Sequence, residues 1–477
     1  MAQASSVTLN VEIAGNLPLL ISEKDKYLIT DLTLTGNLNG TDIRFIREMA
    51  GRNNLGDVTN GRLSTLDIAE TNIIDGGDSY YSSYLDYGTS NNDIGLYMFK
   101  DCFRLSKITL PNSIVTVRAD AFFGCIGLID VIFGENVVHI EHNAFWGCSR
   151  LTSVNIPNSV VSIQTSAFTG CDGITSVFIG DKAVNLSGLN FSYYQNLTKI
   201  IVSEKNSNYS SKDGVLFNKD KTTLLHFPIA KNNTSYVIPE CVVSIEDNAF
   251  YDCIKLKNIT IPNSVISVKS GAFFGCTELE FITIGENVTS IGSSAFFDCI
   301  ELTNIEIPNS VILVEAYAFY NCKKLAHVTI GENVLSIGNS AFWGCDEITT
   351  INSKNTVPPI LGDHCFIWGA NKKTCTIYVP MGSKGAYQTA SQWKDFENII
   401  EAGTITAIDA INKDEISIQH ISGGIIIEAK QQTFVQIYNL FGKIILKSYI
   451  GGRVEIPLRQ GIYILKTNSG SKKIAVK

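Results

Sequence analysis

The chain has 477 residues, 45% of them apolar and only 18% charged, with a net charge of −8. That length holds two to four ordinary domains or one long repeat array with caps. Mild acidity without a basic run argues against a nucleic-acid binder, and no window approaches the roughly 18 uninterrupted apolar residues of a membrane-spanning helix.

The opening, MAQASSVTLNVEIAG, has neither the basic n-region nor the apolar h-region of a signal peptide. It leaves open a cytoplasmic chain or an exported one whose leader has been removed. Residues 1–97 read as a capping region with two long repeat-like units. One carries Ile29, Leu32, Leu34 and Asn37 and is followed by TDIRFIREMA, which predicts a helix over 41–50 capped by Thr41 or Asp42. The other carries Leu63, Leu66, Ile68, Thr71 and Ile73. Next, DGGDSYYSSYLDYG places Asp75, Asp78 and Asp86 together, but not at the spacing of an EF-hand loop. A Gly-Asp turn is the simpler reading, and calcium binding stays open.

From 98 to 348 a repeat takes over. Nine of the twelve cysteines, at 102, 125, 148, 171, 253, 276, 299, 322 and 345, are 23 residues apart within each run. Around them the chain reads A-F-x-x-C-x-x-L-x-x-V-x-I-x-x-S/N-x-V, with another aliphatic residue two positions on. Leu151, Val154, Ile156, Ser159, Val161 and Ile163 form one instance, Leu325, Val328, Ile330, Asn333, Leu335 and Ile337 another. This is the signature of a leucine-rich repeat. The fold class is therefore an α/β repeat solenoid, expected to have one parallel strand per coil and short helical turns on its back.

Turn chemistry alternates, Pro-Asn-Ser at 111, 157, 262 and 308, Gly-Glu-Asn at 134, 285 and 331, a pattern that points to duplicated pairs of repeats. The regular step breaks between anchors 197 and 233, where 13 extra residues surround GVLFNKDKTTLLHF. This insertion, near 205–230, reads as a β-hairpin with Lys219–Lys221 at its tip.

A phenylalanine precedes every repeat anchor by six residues, from Phe99 to Phe342, whereas Tyr194 and Ala230 replace cysteine beside the insertion. Strict Phe beside interchangeable small or aromatic residues is how a packed interior behaves. A line of single thiols cannot converge as four zinc ligands. Neighbouring strands about 4.8 Å apart hold parallel Cβ atoms beyond the roughly 3.8 Å a disulfide prefers. A reactive thiolate needs a cation or helix N-terminus beside it. The cysteines therefore read as buried, reduced packing groups along a phenylalanine spine.

Residues 349–402 read as the cap of the array. Trp368 takes the spine position, Ile377 and Val379 form a last strand, and QWKDFENI closes as a helix. Cys365 and Cys375 lie off the ladder, and their pairing stays open. The tail, 403–477, alternates short strands (ISIQ, GIIIEA, FVQIYNL, KIILKSY, RVEIPL, GIYILKT) with Gly-rich turns, the pattern of a small β-sandwich.

Between the inward aliphatic positions of each repeat, two residues face outward and line an open strand face. They are mostly small and uncharged, but Phe178, Ile201 and Val237 fall on consecutive repeats beside the insertion, and Phe281 lies farther along. These four are the candidate binding residues. The chain has no P-loop, GxGxxG, GxSxG or HExxH pattern, and His139 and His142 read as surface residues. No catalytic, metal or cofactor residues are assigned, and the protein is expected not to be an enzyme.

The unit A-F-x-x-C-x-x-L-x-x-I-x-I-P-N-S-V-x-x-I resembles the BspA-like leucine-rich repeats of bacterial surface proteins. The resemblance spans about 95–400, including NYSSKDGVLFNKDKTTLLHFP and TIYVPMGSKGAYQTASQWKDFENI. It implies an extracellular or cell-surface location and an adhesin-like role toward a host protein, such as a matrix protein, or a glycan. VQIYNLFGKII and LRQGIYILKTNSGSKKIAVK resemble the C-terminal sorting domain of type IX secretion cargo, which also implies export. Two functional readings follow: recognition through the strand face, or a surface scaffold whose array is only a spacer.

Overall fold

Each 23-residue segment closes into one coil because its apolar residues alternate with positions that force tight turns. In the coil that begins at Leu151, Val154 and Ile156 point inward from the front strand Ser153–Ile156, and Ser153 and Asn155 point out. A turn at Pro157 follows, then Val160 turns inward, and so does Ile163 from a second, two-residue strand, Ser162–Ile163. Ser166 and Gly170 adopt positive φ, bracketing the Ala167–Phe168 turn before Cys171 re-enters the core. This explains the variable letter before each cysteine. Gly124, Gly147, Gly275, Asp101, Asp252, Asp298 and Asn321 all take left-handed φ there, the conformation open to Gly and, at low cost, to Asp and Asn.

The computed structural model describes residues 5–366, 370–401, 416–421, 424–439, 444–458, 461–467 and 470–476. They fall into two units, Met1–Ile348 with Pro359–Asn371, and Thr349–Pro358 with Lys372–Lys477. The first is a parallel β-solenoid, mostly strand with few helices. To the expected front strand most coils add a short side strand, and the back is a run of tight turns, one of them the 3-10 turn Phe191–Tyr193. Coils are tied there by backbone bonds such as Phe122 N–H to Ala144 O and Phe273 N–H to Ala295 O, each 2.7 Å.

The placement of the second aliphatic group also differs from the expected frame. Val160 and Val334 are buried, whereas Val161 is half-buried and Leu335 exposed. Where two aliphatic residues are adjacent, only one can enter the core.

Three long parallel strands, Ser5–Val11, Ile29–Leu38 and Thr65–Ile73, start the front sheet and lead into Lys107–Thr109 and Asp130–Ile132. The expected helix runs Gly40–Met49, but its cap is Asn39. The Asn39 side chain accepts from Thr41 N–H, and Asp42 accepts from Asn39 N–H in a capping box. Asp42 also accepts from the backbone of Gly15 and Leu17, so one buried carboxylate pins the preceding loop to the helix. Asp75, Asp78 and Asp86 lie in or beside a hairpin of Gly76–Ser82 and Asp86–Thr89.

The insertion has three antiparallel strands, Tyr209–Lys212, Val215–Asn218 and Thr223–His226, one more than the expected hairpin. The last pairs parallel with Ser244–Ile245 and so substitutes for a side strand. Asn206 anchors it: the fully buried amide donates to Gly180 O and Ala183 O and accepts from Asn208 and Tyr209 N–H.

Spine rings stack in two runs. Phe99, Phe122, Phe145 and Phe168 lie 4.9–5.2 Å apart, and Phe227, Phe250, Phe273, Phe296, Phe319, Phe342 and Phe366 lie 4.8–5.3 Å apart. Phe366 thus occupies the end of the stack; Trp368, expected to take the spine position, lies outside the described residues. The Phe342 N–H donates to Cys365 O, which puts Cys365 at the alanine position and makes the last coil one residue longer than the others.

In the second unit, Thr350–Ser353, Thr376–Val379 and Asn398–Glu401 form a parallel sheet. The helix is Lys384–Thr389, not QWKDFENI. Gln392 takes positive φ, Trp393–Asp395 is a single 3-10 turn, and Asn398–Glu401 is drawn into the sheet. The tail forms one connected antiparallel sheet of five strands over a core of Ile425, Ile427, Val435, Ile437, Leu465 and Ile474. Two expected strand pairs merge into Gly424–Asn439 and Ile444–Pro457, because KQQT and the Gly451–Gly452 pair form a bulge rather than turns.

Candidate binding face

The front strands position the candidate residues through their alternation. On the strands Ser176–Ile179 and Lys199–Val202, Val177 and Ile179 are buried, and Phe178 lies directly across from Ile201 in parallel register. Phe178 is half-buried and Ile201 is 43% exposed, so the two make an outward apolar pair. Val237 and Phe281, 64% and 51% exposed, lie on a different ladder, Ser235–Val237, Asn258–Thr260 and Phe281–Thr283. There Val237 faces Thr260 and Phe281 faces Asn258.

The expected run of Phe178, Ile201 and Val237 is divided by the insertion. The Asp213–Gly214 turn closes on the Lys199–Val202 strand, with Ile200 N–H donating to Gly214 O at 2.9 Å. Around Phe178 and Ile201 the outward residues are Asn155, Ser176 and Lys199, around Val237 and Phe281 they are Ser, Thr and Asn, and Lys107 is matched by Asp130 at 3.3 Å. Such a surface lacks the charge that would steer a polyanion. It offers instead strand-borne apolar groups amid hydroxyl and amide groups.

One exposed feature escaped the sequence reading. Val243, Ile266, Ile312 and Leu335 are exposed at one position of successive coils beside the side strands, a row interrupted by Thr289. The adjacent pairs Val242-Val243, Val265-Ile266, Val311-Ile312 and Val334-Leu335 carried the signal.

All twelve cysteines are free, Cys365 and Cys375 included. The ladder thiols do more than fill space. From Cys125 onward, each ladder Sγ donates to the carbonyl of a spine phenylalanine 26 residues earlier, as from Cys125 to Phe99 O (3.0 Å), Cys276 to Phe250 O (3.1 Å) and Cys345 to Phe319 O (3.0 Å). Burial, the largest cause, pushes the Cys125, Cys253 and Cys299 thiols well above their ordinary pKa and the Cys375 thiol up to about 12. These are protonated donors, not nucleophiles. His139 and His142 are exposed, His139 hydrogen-bonded to Ser162 Oγ. Among the described residues, no three His, Cys, Asp or Glu side chains are placed to hold a metal, and no helix is long and apolar enough to cross a membrane.

The family described as BspA type Leucine rich repeat region matches residues 92–218 and 232–372, in six copies. Among solved structures, the chain is similar to a leucine rich cell surface protein from Faecalibacterium prausnitzii A2-165, at 24% identity over 63% of this chain and 90% of that one, with a TM-score of 0.42. It is similar to a leucine-rich repeat protein from Eubacterium ventriosum ATCC 27560, at 22% identity over 71% and 89%, with a TM-score of 0.47. It is also similar to the pneumococcal vaccine antigen PcpA, at 19% identity over 80% and 82%, with a TM-score of 0.45. No curated protein matches it.

Proposed function

Because this chain belongs to the family of BspA type leucine-rich repeat regions, we propose that it is a non-enzymatic, cell-surface or secreted binding protein. Its front strand face takes an extracellular protein or glycan, with a host matrix protein as the leading candidate. The observation that carries this reading is the outward pair Phe178 and Ile201, set in register on adjacent strands beside Asn155, Ser176 and Lys199. A few large anchors surrounded by contacts that add little energy but exclude water are how binding hot spots are built. The antiparallel tail, on its sequence resemblance, serves export or anchoring.

The test is capture of extracellular-matrix proteins and mucins by the immobilised chain beside a Phe178→Ala/Ile201→Ser variant, shown by thermal melting to be folded. A saturable ligand whose affinity falls at least tenfold in the variant supports the face. Capture unchanged in the variant removes the site from this face, and capture of nothing favours the spacer.

A further inference from the structure

The two runs of stacked rings do not meet directly. Phe191, in the 3-10 turn Phe191–Tyr193, stacks on His226 of the inserted strand, with ring centroids 5.3 Å apart. Side-strand pairing on the N-terminal side ends in the single bridge Ser162–Asn185 and resumes on the inserted strand Thr223–His226. Between these edges the solenoid opens into a cleft of about 410 Å³, within the range of small-molecule sites.

The lining joins two chemistries. Asn185, Asn190, Asp247 and Asn248 contribute amides and one carboxylate, and half-buried Tyr209 contributes ring surface beside the buried rings of Phe191 and His226. No lysine or arginine lines the cleft, so a carboxylated, sulfated or phosphorylated ligand would meet Asp247 without a counter-charge. His226 is buried with no hydrogen-bond partner for Nε2. Burial lowers its pKa to about 3, which keeps the ring neutral and adds no positive charge. A hydroxyl-rich, uncharged ligand with an apolar face satisfies all of these groups. Its hydroxyls pair with amide and carboxylate oxygens and its C–H face lies on the rings.

We propose that this cleft binds the neutral terminal sugar of a glycan, one or two residues long. The site is separate from the front strand face and does not depend on the reading given to that face.

The probe is a panel of methyl glycosides of glucose, galactose, mannose, fucose and N-acetylglucosamine, with sialic acid and glucuronate as anionic controls. Saturation-transfer NMR on the full chain reads contact. Asp247→Ala and Asn190→Ala change the cleft, and Phe178→Ala/Ile201→Ser changes only the strand face; thermal melting confirms that each variant is folded. The expected result is transfer to at least one neutral glycoside and to neither anionic sugar, weakened at least tenfold in both cleft variants and unchanged in the strand-face variant. No transfer to any neutral glycoside overturns the proposal, as does transfer that both cleft variants retain or that the anionic sugars share. Neither result bears on the strand face, whose ligand is read in its own capture assay.

Discussion

A thiol at the back of each coil is chosen for two properties together. It is small and apolar enough to pack against stacked rings, and it still donates to the phenylalanine carbonyl of the preceding coil, as Cys276 does to Phe250 O. Alanine would leave that carbonyl without the sulfur donor, and a larger polar group would not fit beside the rings. Cys241 differs, being off the ladder and exposed. Ellman's reagent at pH 8 should therefore titrate about one thiol in the native chain and all twelve after denaturation. Fast native reaction of several thiols would mean that the coil backs open far more readily than this packing allows.

Within a coil pair, the turns lock by a close approach. The Asn263 side chain accepts from Glu286 N–H, Asn287 donates back to Asn263 O, and a Cβ on Gly285 would lie 2.2 Å from Pro262 O. The same approach recurs at Gly134 over Pro111, Gly180 over Pro157 and Gly331 over Pro308. Gly285→Ala should accordingly cost about 1–3 kcal/mol by overpacking, measured as a lower urea midpoint at unchanged m-value. An equal loss from Gly385→Ala, whose Cβ meets nothing within 4 Å, would show that the close approach is not the cause. The sequence displayed the alternation of these turns but not its reason, which lies in contacts between residues 23 apart. Strand periodicity and the strict phenylalanine likewise made the coils and the outward positions of Phe178, Ile201, Val237 and Phe281 legible. The side strand was not legible, because two residues carry no period. Nor was the division of the candidate face, because the approach of Gly214 to Ile200 depends on how the insertion folds back.

Across the solenoid, a coil is held only by its neighbours, so stability propagates along the stack and is weakest where the stack changes character. That place is the joint of Phe191 with His226. The runs Phe99–Phe168 and Phe227–Phe366 should open as separate cooperative blocks in hydrogen exchange. Phe273→Ala removes a fully buried ring, costing about 3–5 kcal/mol, and should speed exchange throughout the second run while leaving the coils around Phe122 and Phe145 at their original rates. Uniform loss of protection on both sides would show that the joint transmits stability as well as any other step. The paired turns bear on how such a chain changes length over generations. Unequal recombination that inserts or deletes two coils returns every Gly-Glu-Asn turn to a Pro-Asn-Ser neighbour, whereas a single-coil event sets proline over proline. That arrangement occurs here at Pro239 and Pro262, beside the insertion. Arrays of this construction are therefore expected to grow and shrink in even steps, with odd steps surviving where a joint has already interrupted the pairing.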